Sequence, residues 1–246
     1  MASVSLRFLG SGDAFASGGR LQACLQLEGA GEPLLIDCGA TALVSLKRER
    51  IDPASIGCVV LSHLHGDHYA GVAWLILDGQ FAGRDRQLVI AGPPGTQARL
   101  ELAFAALYPG MTSGGRAFAT RVVEMQDRSP YDLGPAAVTP FAVAHSSGAP
   151  SLALRVDYGG KVIAYSGDTE WTDTLLEVAR GADLFVCECN FYDKKVPGHL
   201  DFKTLSAQLP RLECKRLVIT HMSDEMLARL AELDVQAASD GLVVEV

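Results

Sequence analysis

The sequence is short of positive charge. Its 246 residues contain 21 Lys and Arg against 29 Asp and Glu, which gives a formal net charge of −8. Proteins that grip nucleic acid through its phosphate backbone rely on clustered Lys and Arg side chains. The composition therefore disfavours a large nucleic acid as a partner, although it leaves a small anionic substrate open.

Long hydrophobic runs are also missing. The chain has no uninterrupted apolar run of about eighteen residues, and no basic start followed by a long apolar segment. We therefore expect neither export nor membrane insertion, and we expect a cytoplasmic protein. Because 48% of the residues are hydrophobic, the chain can bury a substantial core, and we expect one domain over residues 1–246.

Cysteine is scarce, and most of the six cysteines lie in apolar, strand-like segments. This placement is typical of reduced thiols in a protein core. Cys187 and Cys189 flank Glu188, but a closed zinc site would need a second pair of ligands. We therefore interpret the cysteines as structural.

Hydrophobic patterning predicts two β-rich blocks, each followed by helices. Strands are predicted over residues 3–9, 21–27, 33–37, 57–61, 87–90, 121–124, 137–143, 152–158, 161–166, 183–189, 216–220 and 242–246. Helices are predicted over 41–47, with Thr41 as its cap, and over 71–77, 96–108, 172–179, 204–211 and 226–233, with a loop at 110–115. This order predicts an α+β sandwich of two sheets with helices outside.

One stretch concentrates residues that bind metals. Residues 62–68, Ser-His-Leu-His-Gly-Asp-His, hold three of the six histidines and follow the apolar run 57–61. That run has the length and β-branched content of a buried strand, and loops at strand ends often carry chemistry. Side chains of an extended segment alternate between faces, so His63 and His65 share one side. Asp67 and His68, which follow across a turn, can then face a second point, separate from the side that His63 and His65 share.

Single polar residues follow three predicted strands of the second half. They are His145, Asp168 and His221, and each repeats the pattern of a strand followed by a candidate ligand. Histidine nitrogen and carboxylate oxygen suit zinc, manganese or iron better than a structural zinc knot. Asp37, at the end of the strand 33–37, is either a turn-forming residue or a support beneath a metal site.

These motifs resemble those of the metallo-β-lactamase superfamily, over nearly the whole chain. His63-Leu64-His65-Gly66-Asp67-His68 matches the HxHxDH signature, and the three later residues match the remaining metal motifs in order. The resemblance implies a four-layer αββα sandwich with two divalent metal ions, zinc or manganese with iron as an alternative, at the sheet edges. It implies one ion held by His63, His65 and His145, the other by Asp67, His68 and His221, and Asp168 bridging them.

Within that superfamily the chain is most similar to the ribonuclease Z-like phosphodiesterases. Leu9-Gly10-Ser11-Gly12-Asp13-Ala14 is similar to their opening loop, and Gly198-His199-Leu200 takes the place of a further histidine. The resemblance implies that Asp37 supports a ligand without binding metal. It makes His199 a proton donor to the departing alkoxide or a stabiliser of phosphate charge. Glu188 either orients His199 or caps a strand against solvent.

The departures from ribonuclease Z bear on substrate size. The tRNA-processing enzymes insert a long arm between the motifs that correspond to His145 and Asp168, and here only a short hairpin fits. The acidic composition points the same way. We therefore expect a small phosphodiester, such as a cyclic nucleotide or a cyclic ribose phosphate. Arg20, Lys194 and Lys195 are candidates for phosphate contacts, with solvated surface charge as the alternative.

The expected chemistry is in-line hydrolysis by a hydroxide held between two metal ions, with Asp67 orienting this nucleophile. The same metals would serve a lactone, thioester or β-lactam hydrolase, against which His199 and the opening loop count. A non-haem iron oxidoreductase of the persulfide dioxygenase or flavodiiron type is the third hypothesis. Flavodiiron proteins carry a glutamate where this chain has His65, which favours hydrolysis. A homodimer is expected from the family alone.

Overall fold

The structure, a computed structural model, describes residues 3–110 and 117–246. The loop predicted at 110–115 lies almost wholly outside the described residues. The strands are β1 Ser5–Gly10, β2 Cys24–Glu28, β3 Leu34–Ile36, β4 Cys58–Val60, β5 Leu88–Gly92, β6 Thr120–Glu124, β7 Tyr131–Asp132, β8 Ala137–Val143, β9 Ser151–Tyr158, β10 Lys161–Tyr165, β11 Leu184–Glu188, β12 Leu217–Thr220, β13 Gln236–Ala237 and β14 Val243–Glu245. The helices are α1 Ala42–Arg48, α2 Gly66–Tyr69, α3 Gly71–Ala82, α4 Thr96–Leu107, α5 Thr174–Ala179, α6 Phe202–Gln208 and α7 Asp224–Leu227.

The described strands form two sheets of seven. One has the order β14-β1-β2-β3-β4-β5-β6, and the other has the order β13-β12-β11-β10-β9-β8-β7. The inner faces share a core that includes Leu6, Leu27, Val60, Leu154 and Val186. A second apolar cluster packs α1, α3 and α4 on the first sheet, and a third packs α5 and α6 on the other. The predicted α+β class and αββα sandwich are therefore confirmed.

The topology brings several strand ends to one edge of the sandwich. Strands β3 to β6 are parallel neighbours, and so are β10 to β13. Strand β8 is antiparallel to β9, which is antiparallel to β10, so β8 ends at the same edge as β10. Residues that follow β3, β4, β8, β10 and β12 therefore meet at this edge, and the candidate ligands are among them.

Two predicted local features differ in the structure. Thr41 is the N-cap residue of α1, as predicted, but its hydroxyl makes no cap hydrogen bond and accepts from Gln22 N (2.8 Å) instead. The helix predicted at 226–233 is only the single turn α7, capped by Ser223, followed by a short 3₁₀ turn at Leu230–Glu232. Met226 is the one fully buried residue of 224–233, so packing supports no more than one turn there.

Among the helices of residues 3–110 and 117–246, none is long and apolar enough to cross a bilayer.

Candidate metal centre and catalytic site

All six histidines of the chain meet at the edge where the strand ends converge. Neighbouring rings lie with their centroids about 4 to 6 Å apart. Carboxylates of both sheets join them. No histidine lies elsewhere in the described structure. The six are His63, His65, His68, His145, His199 and His221.

A first group of potential ligands consists of His63, His65 and His145. One nitrogen of each ring lies within 4.8 Å of one nitrogen of the others. His65 Nδ1 and His145 Nε2 face each other at 3.0 Å, as two ring nitrogens do around a shared cation. This is the predicted grouping, and its role as a metal site stays a prediction.

A second group consists of Asp67, His68, Asp168 and His221, again with ligand atoms within 4.8 Å of one another. Asp67 Oδ2 lies 3.2 Å from His68 Nε2 and 3.3 Å from His221 Nε2. Asp168 reaches both groups, with oxygens 3.3 Å from His68 Nε2, 3.5 Å from His221 Nε2 and 3.8 Å from His63 Nε2. Its position between the groups fits the predicted bridging role.

Asp37 accepts hydrogen bonds from the histidine stretch and thereby fixes its side chains. It sits just after β3 with φ of 57°, a conformation that few residues other than glycine adopt, and it is fully buried. Its Oδ1 accepts from Ser62 N (2.7 Å), and its Oδ2 accepts from Ser62 Oγ (2.8 Å) and from His68 Nδ1 (2.7 Å). Because the Ser62 hydroxyl proton goes to Asp37, Ser62 Oγ accepts from His63 Nδ1 (3.0 Å). Both imidazoles are thus left with Nε2 free for a ligand.

Helix α2 carries Asp67 and His68 and is tied to the turn after β3. Cys38 N donates to His68 O (2.6 Å), and Gly71 N donates to Cys38 O (2.9 Å). A Cβ atom at Gly39 would lie 2.3 Å from Asp67 O, so only glycine permits this approach. Asp67 and His68 therefore project from the first turn of a helix, where the sequence predicts a simple turn.

Ligands from the second sheet are fixed by backbone and amide groups. His145 Nδ1 donates to Gly198 O (2.8 Å), and a Cβ at Gly198 would lie 2.9 Å from that nitrogen. His221 has φ of 61°, and its N donates to Ser11 O (3.1 Å) in the opening loop. Asn190 Nδ2 donates to His221 O (2.9 Å) and lies 3.1 Å from His221 Nδ1. Such contacts orient a ligand before it binds.

The first group of histidines favours the neutral imidazole. Burial lowers the pKa of His63, His65 and His145, and neighbouring imidazoles lower these pKa values further. Neutral imidazole is the form that binds a metal.

The second group favours protonated imidazoles and ionised carboxylates. Burial alone would lower the pKa of His68 and His221, but Asp168 and the other nearby carboxylates outweigh it and raise both pKa values. Burial would likewise raise the pKa of Asp67 and Asp168, but contact with His68 and His221 lowers both. The raised pKa values of these histidines favour imidazolium forms that offset two buried carboxylates, a charge that divalent ions would otherwise supply.

Two buried polar atoms at the site lack hydrogen-bond partners within the described chain, which fits a metal-binding role. In the described residues, His63 Nε2 and Asp168 Oδ1 are buried side-chain atoms without a hydrogen-bond partner. Buried polar atoms of this kind are rare and call for an explanation. Both lie in the cluster of nitrogen and carboxylate donors, where a bound cation would satisfy them.

Glu188 and His199 form a pair next to the ligand groups. His199 Nδ1 lies 3.3 Å from Glu188 Oε2, and 4.0 Å from Asp168 Oδ2. Glu188 is only 1% exposed, so it does not cap its strand against solvent. Burial and then the Asp168 carboxylate raise the pKa of Glu188. The pair therefore places an imidazole against a buried carboxyl group beside the site, with His199 at its more open end.

The three basic residues predicted to contact phosphate are occupied by protein groups. Arg20 Nη1 donates to Ser11 Oγ (3.2 Å) and to Ala238 O (2.6 Å). The ammonium of Lys194 lies 4.9 Å above the ring of Phe191. Lys195 Nζ donates to Asp201 Oδ2 (2.6 Å) and to Thr204 Oγ1. Their contacts with phosphate stay predictions.

Sequence reasoning missed three supporting residues, Ser62, Gly198 and Asn190. Ser62 lies inside the histidine stretch, and its position directly before His63 was the available signal. Gly198 acts through its carbonyl oxygen, and Asn190 lies far from His221 in sequence. No sequence pattern points to these last two contacts.

The sequence matches a known family over most of its length. A family model described as "Anti-Pycsar protein Apyc1" matches residues 4–238. The chain is 34% identical over 201 residues to "Uncharacterized protein Rv1339" of Mycobacterium tuberculosis, covering 77% of this chain and 70% of that protein. It is 27% identical over 268 residues to a ribonuclease Z of Methanosarcina acetivorans, covering 89% and 88%.

Solved structures share the fold at lower identity. The metallo-β-lactamase fold protein YhfI from Bacillus subtilis has a TM-score of 0.82 and 21% identity, with all of both chains covered. A diphosphatase from the PhnP family has a TM-score of 0.80 and 21% identity, covering 99% of this chain and 98% of that one. These likenesses establish the architecture of the sandwich.

Proposed function

The chain belongs to the Apyc1 family of anti-Pycsar proteins, in the ribonuclease Z-like branch of the metallo-β-lactamase superfamily, and we propose that it is a dinuclear metal-dependent phosphodiesterase. Its relatives include hydrolases that cleave phosphorus–oxygen bonds, as the names ribonuclease Z and diphosphatase state. We propose a small phosphodiester, such as a cyclic nucleotide, as the substrate.

The observation that carries the proposal is the Glu188–His199 pair beside two ligand groups joined by Asp168. A thioester expels a thiolate, which leaves without a dedicated acid. An alkoxide leaving a phosphodiester needs a proton, and a histidine within reach of a carboxylate supplies it. The pair therefore argues against a thioester hydrolase, and the ribonuclease Z-like opening loop at residues 9–14 argues against a lactone or β-lactam hydrolase.

Each residue has a distinct task in the proposed reaction. When bound, two divalent ions lower the pKa of a water molecule and offset charge on the phosphate oxygens. Asp67, within the second group, accepts a hydrogen bond from the attacking water and orients it in line. The water oxygen bonds to phosphorus and its proton passes to solvent, while the bond from phosphorus to the leaving oxygen breaks and this oxygen takes a proton from His199. Glu188 stabilises the imidazolium before the transfer, and solvent then returns a proton to His199.

The segment between His145 and Asp168 supports a small substrate. Residues 146–167, all of them described, form only a turn, β9, the Gly159-Gly160 hairpin and β10. They hold no arm comparable to that of the tRNA-processing enzymes, and the net charge of −8 offers little to grip a folded RNA. We therefore propose that no large nucleic acid is the substrate.

The proposal is tested by an activity assay on protein whose metal content has been measured. Purified protein is tested on bis(p-nitrophenyl) phosphate, and on ester and lactone substrates, with and without added manganese or zinc. We expect metal-dependent diesterase activity and little ester or lactone turnover. Good ester turnover without diesterase activity would overturn the proposal.

His199→Ala tests the acid. We expect an unchanged metal content and a rate on an alkyl phosphodiester lower by about 10²- to 10⁴-fold. If both the metal content and the rate stay at wild-type levels, His199 has no role in the reaction.

A further inference from the structure

A cavity of about 380 Å³ adjoins His199. Its volume lies in the range of small-molecule sites in proteins. The described residues that line it include His199 and none of the predicted metal ligands. Trp171, Val196 and Pro197 supply apolar surface, and Glu170 and Lys195 supply charge. It is therefore a compartment next to the ligand groups, and His199 is its link to them.

The charges of this cavity do not suit a phosphate. Glu170 and Asp201 are both acidic, whereas Lys195 is the one basic residue of the described lining. The Lys195 ammonium is already held by Asp201 Oδ2 (2.6 Å) and by the hydroxyl of Thr204. A second anion would meet an excess of negative charge. The cavity therefore suits an uncharged group that donates hydrogen bonds.

Trp171 gives the cavity a flat aromatic wall. The indole is partly buried, and its Nε1 donates to Asp173 Oδ1 (3.2 Å), which fixes the ring. Aromatic side chains held in this way are platforms for nucleobases, because every base presents a π-face. Glu170, next in the chain, is exposed and lines the same cavity.

The position of His199 decides which part of a substrate lies here. A general acid must reach the leaving oxygen, so the organic group attached to that oxygen lies on the His199 side of the phosphorus. For a cyclic nucleotide this group is the nucleoside. The phosphate stays at the ligand groups, and the neighbouring compartment is available to the group that leaves.

We propose that the cavity binds the nucleoside part of a nucleotide substrate, with the base stacked on Trp171 and its donor groups facing the Glu170 carboxylate. This inference rests on the proposed phosphodiesterase function. It makes Trp171 and Glu170 specificity residues, distinct from the metal and acid machinery.

Kinetics with paired substrates test the proposal. Adenosine 3′,5′-cyclic phosphate is compared with a base-free cyclic ribose phosphate for wild type, Trp171→Ala, Trp171→Phe and Glu170→Gln. We expect Trp171→Ala to raise KM for the nucleotide about tenfold, since stacking of one base is worth roughly that much or more. KM for the base-free substrate should change less than about twofold, and Trp171→Phe should retain most of the preference. Equal effects on both substrates would overturn the proposal.

Fluorescence gives a readout that needs no turnover. The chain has only two tryptophans, so Trp74→Phe leaves Trp171 as the single reporter. We expect adenosine 5′-monophosphate to quench its emission, and ribose 5-phosphate to leave it unchanged. Quenching that is equal for both ligands, or absent for both, would contradict stacking.

The phosphodiesterase function and the nucleoside site are tested by different outcomes. If wild type hydrolyses bis(p-nitrophenyl) phosphate but Trp171→Ala changes KM equally for the nucleotide and the base-free substrate, the cavity assignment is wrong and the phosphodiesterase function stands. If no diester is hydrolysed, the phosphodiesterase function is wrong, and the quenching titration still decides whether the cavity binds a nucleoside.

Discussion

Asp37 Oδ2 and His68 Nδ1 lie 2.7 Å apart, both fully buried, at the centre of the network behind the candidate metal site. The carboxylate accepts the Nδ1 proton, so it fixes the His68 tautomer that leaves Nε2 for a metal. It also receives both the amide and the hydroxyl of Ser62. One carboxylate thus orients two candidate metal ligands, His68 directly and His63 through Ser62.

We expect Asp37→Asn to lower metal affinity by about 10- to 100-fold, as is usual for the loss of a partner behind a ligand. An amide nitrogen facing His68 Nδ1 forces that nitrogen to accept, which places the proton on Nε2 and blocks the ligand atom. Competition against a chromogenic chelator measures the affinity. Asp157→Asn, an exposed change on β9, is the matched control. Equal affinities of the two variants would show that Asp37 does not support the site.

Because Asp168 lies between the two ligand groups, we expect an Asp168 variant and a His65 variant to differ in the number of metal ions that they lose. We expect His65→Ala to lose about one ion per chain, because His65 belongs to the first group only. Asp168→Asn should weaken both ions, because its oxygens face His68, His221 and His63. Elemental analysis after dialysis at fixed free metal measures both. The bridging role is wrong if Asp168→Asn retains one ion at wild-type affinity.

The Glu188–His199 pair predicts a dependence on the leaving group. We expect Glu188→Gln to slow an alkyl phosphodiester by about 10- to 100-fold, since a neutral amide no longer stabilises the His199 imidazolium. The same change should affect bis(p-nitrophenyl) phosphate much less, because nitrophenolate leaves without a proton. Glu177→Gln, which removes only a surface ion pair with Arg128, is the control. Equal losses on both substrates would instead indicate a structural role for Glu188.

The buried cysteines predict an alkaline loss of stability. Burial raises the pKa of the Cys58 thiol to about 12, and it also raises the pKa of Cys24, Cys38, Cys187 and Cys189. Unfolded thiols ionise near about pH 8.5. Above that pH the unfolded chain binds fewer protons than the folded one, so the free energy of unfolding falls as pH rises.

Urea unfolding at about pH 7 and about pH 9.5 measures this loss, and Cys58→Ala should reduce it. In the folded protein at about pH 8 we expect a thiol reagent to modify chiefly the half-buried Cys214, and the others only after unfolding. Rapid labelling of the other five thiols in the folded state would contradict their burial.

Sequence patterns predicted most of the fold and the candidate metal ligands. The order of strands and helices predicted a sandwich of two sheets with helices outside, because alternation and helical spacing record which face of each element is buried. The spacing of His63, His65, Asp67 and His68 marked a strand end with metal-binding donors. Local patterns were weaker at Thr41 and at 226–233, where a hydroxyl found a partner elsewhere and little surface was buried.

Residue types and their order along the chain determined by themselves which donors this protein offers and which strands carry them. Only the tertiary structure decided how they meet. The parallel strands bring His145, Asp168 and His221 to the edge where the histidine stretch lies, at separations of 3 to 4 Å that no sequence spacing encodes. The partners of these ligands, Asn190 and the carbonyl of Gly198, come from distant segments. The same is true of the cavity beside His199, because its wall joins residues 170–171 to residues 195–204. A contact between distant segments depends on the packing of the two sheets, and that packing is a property of the whole chain.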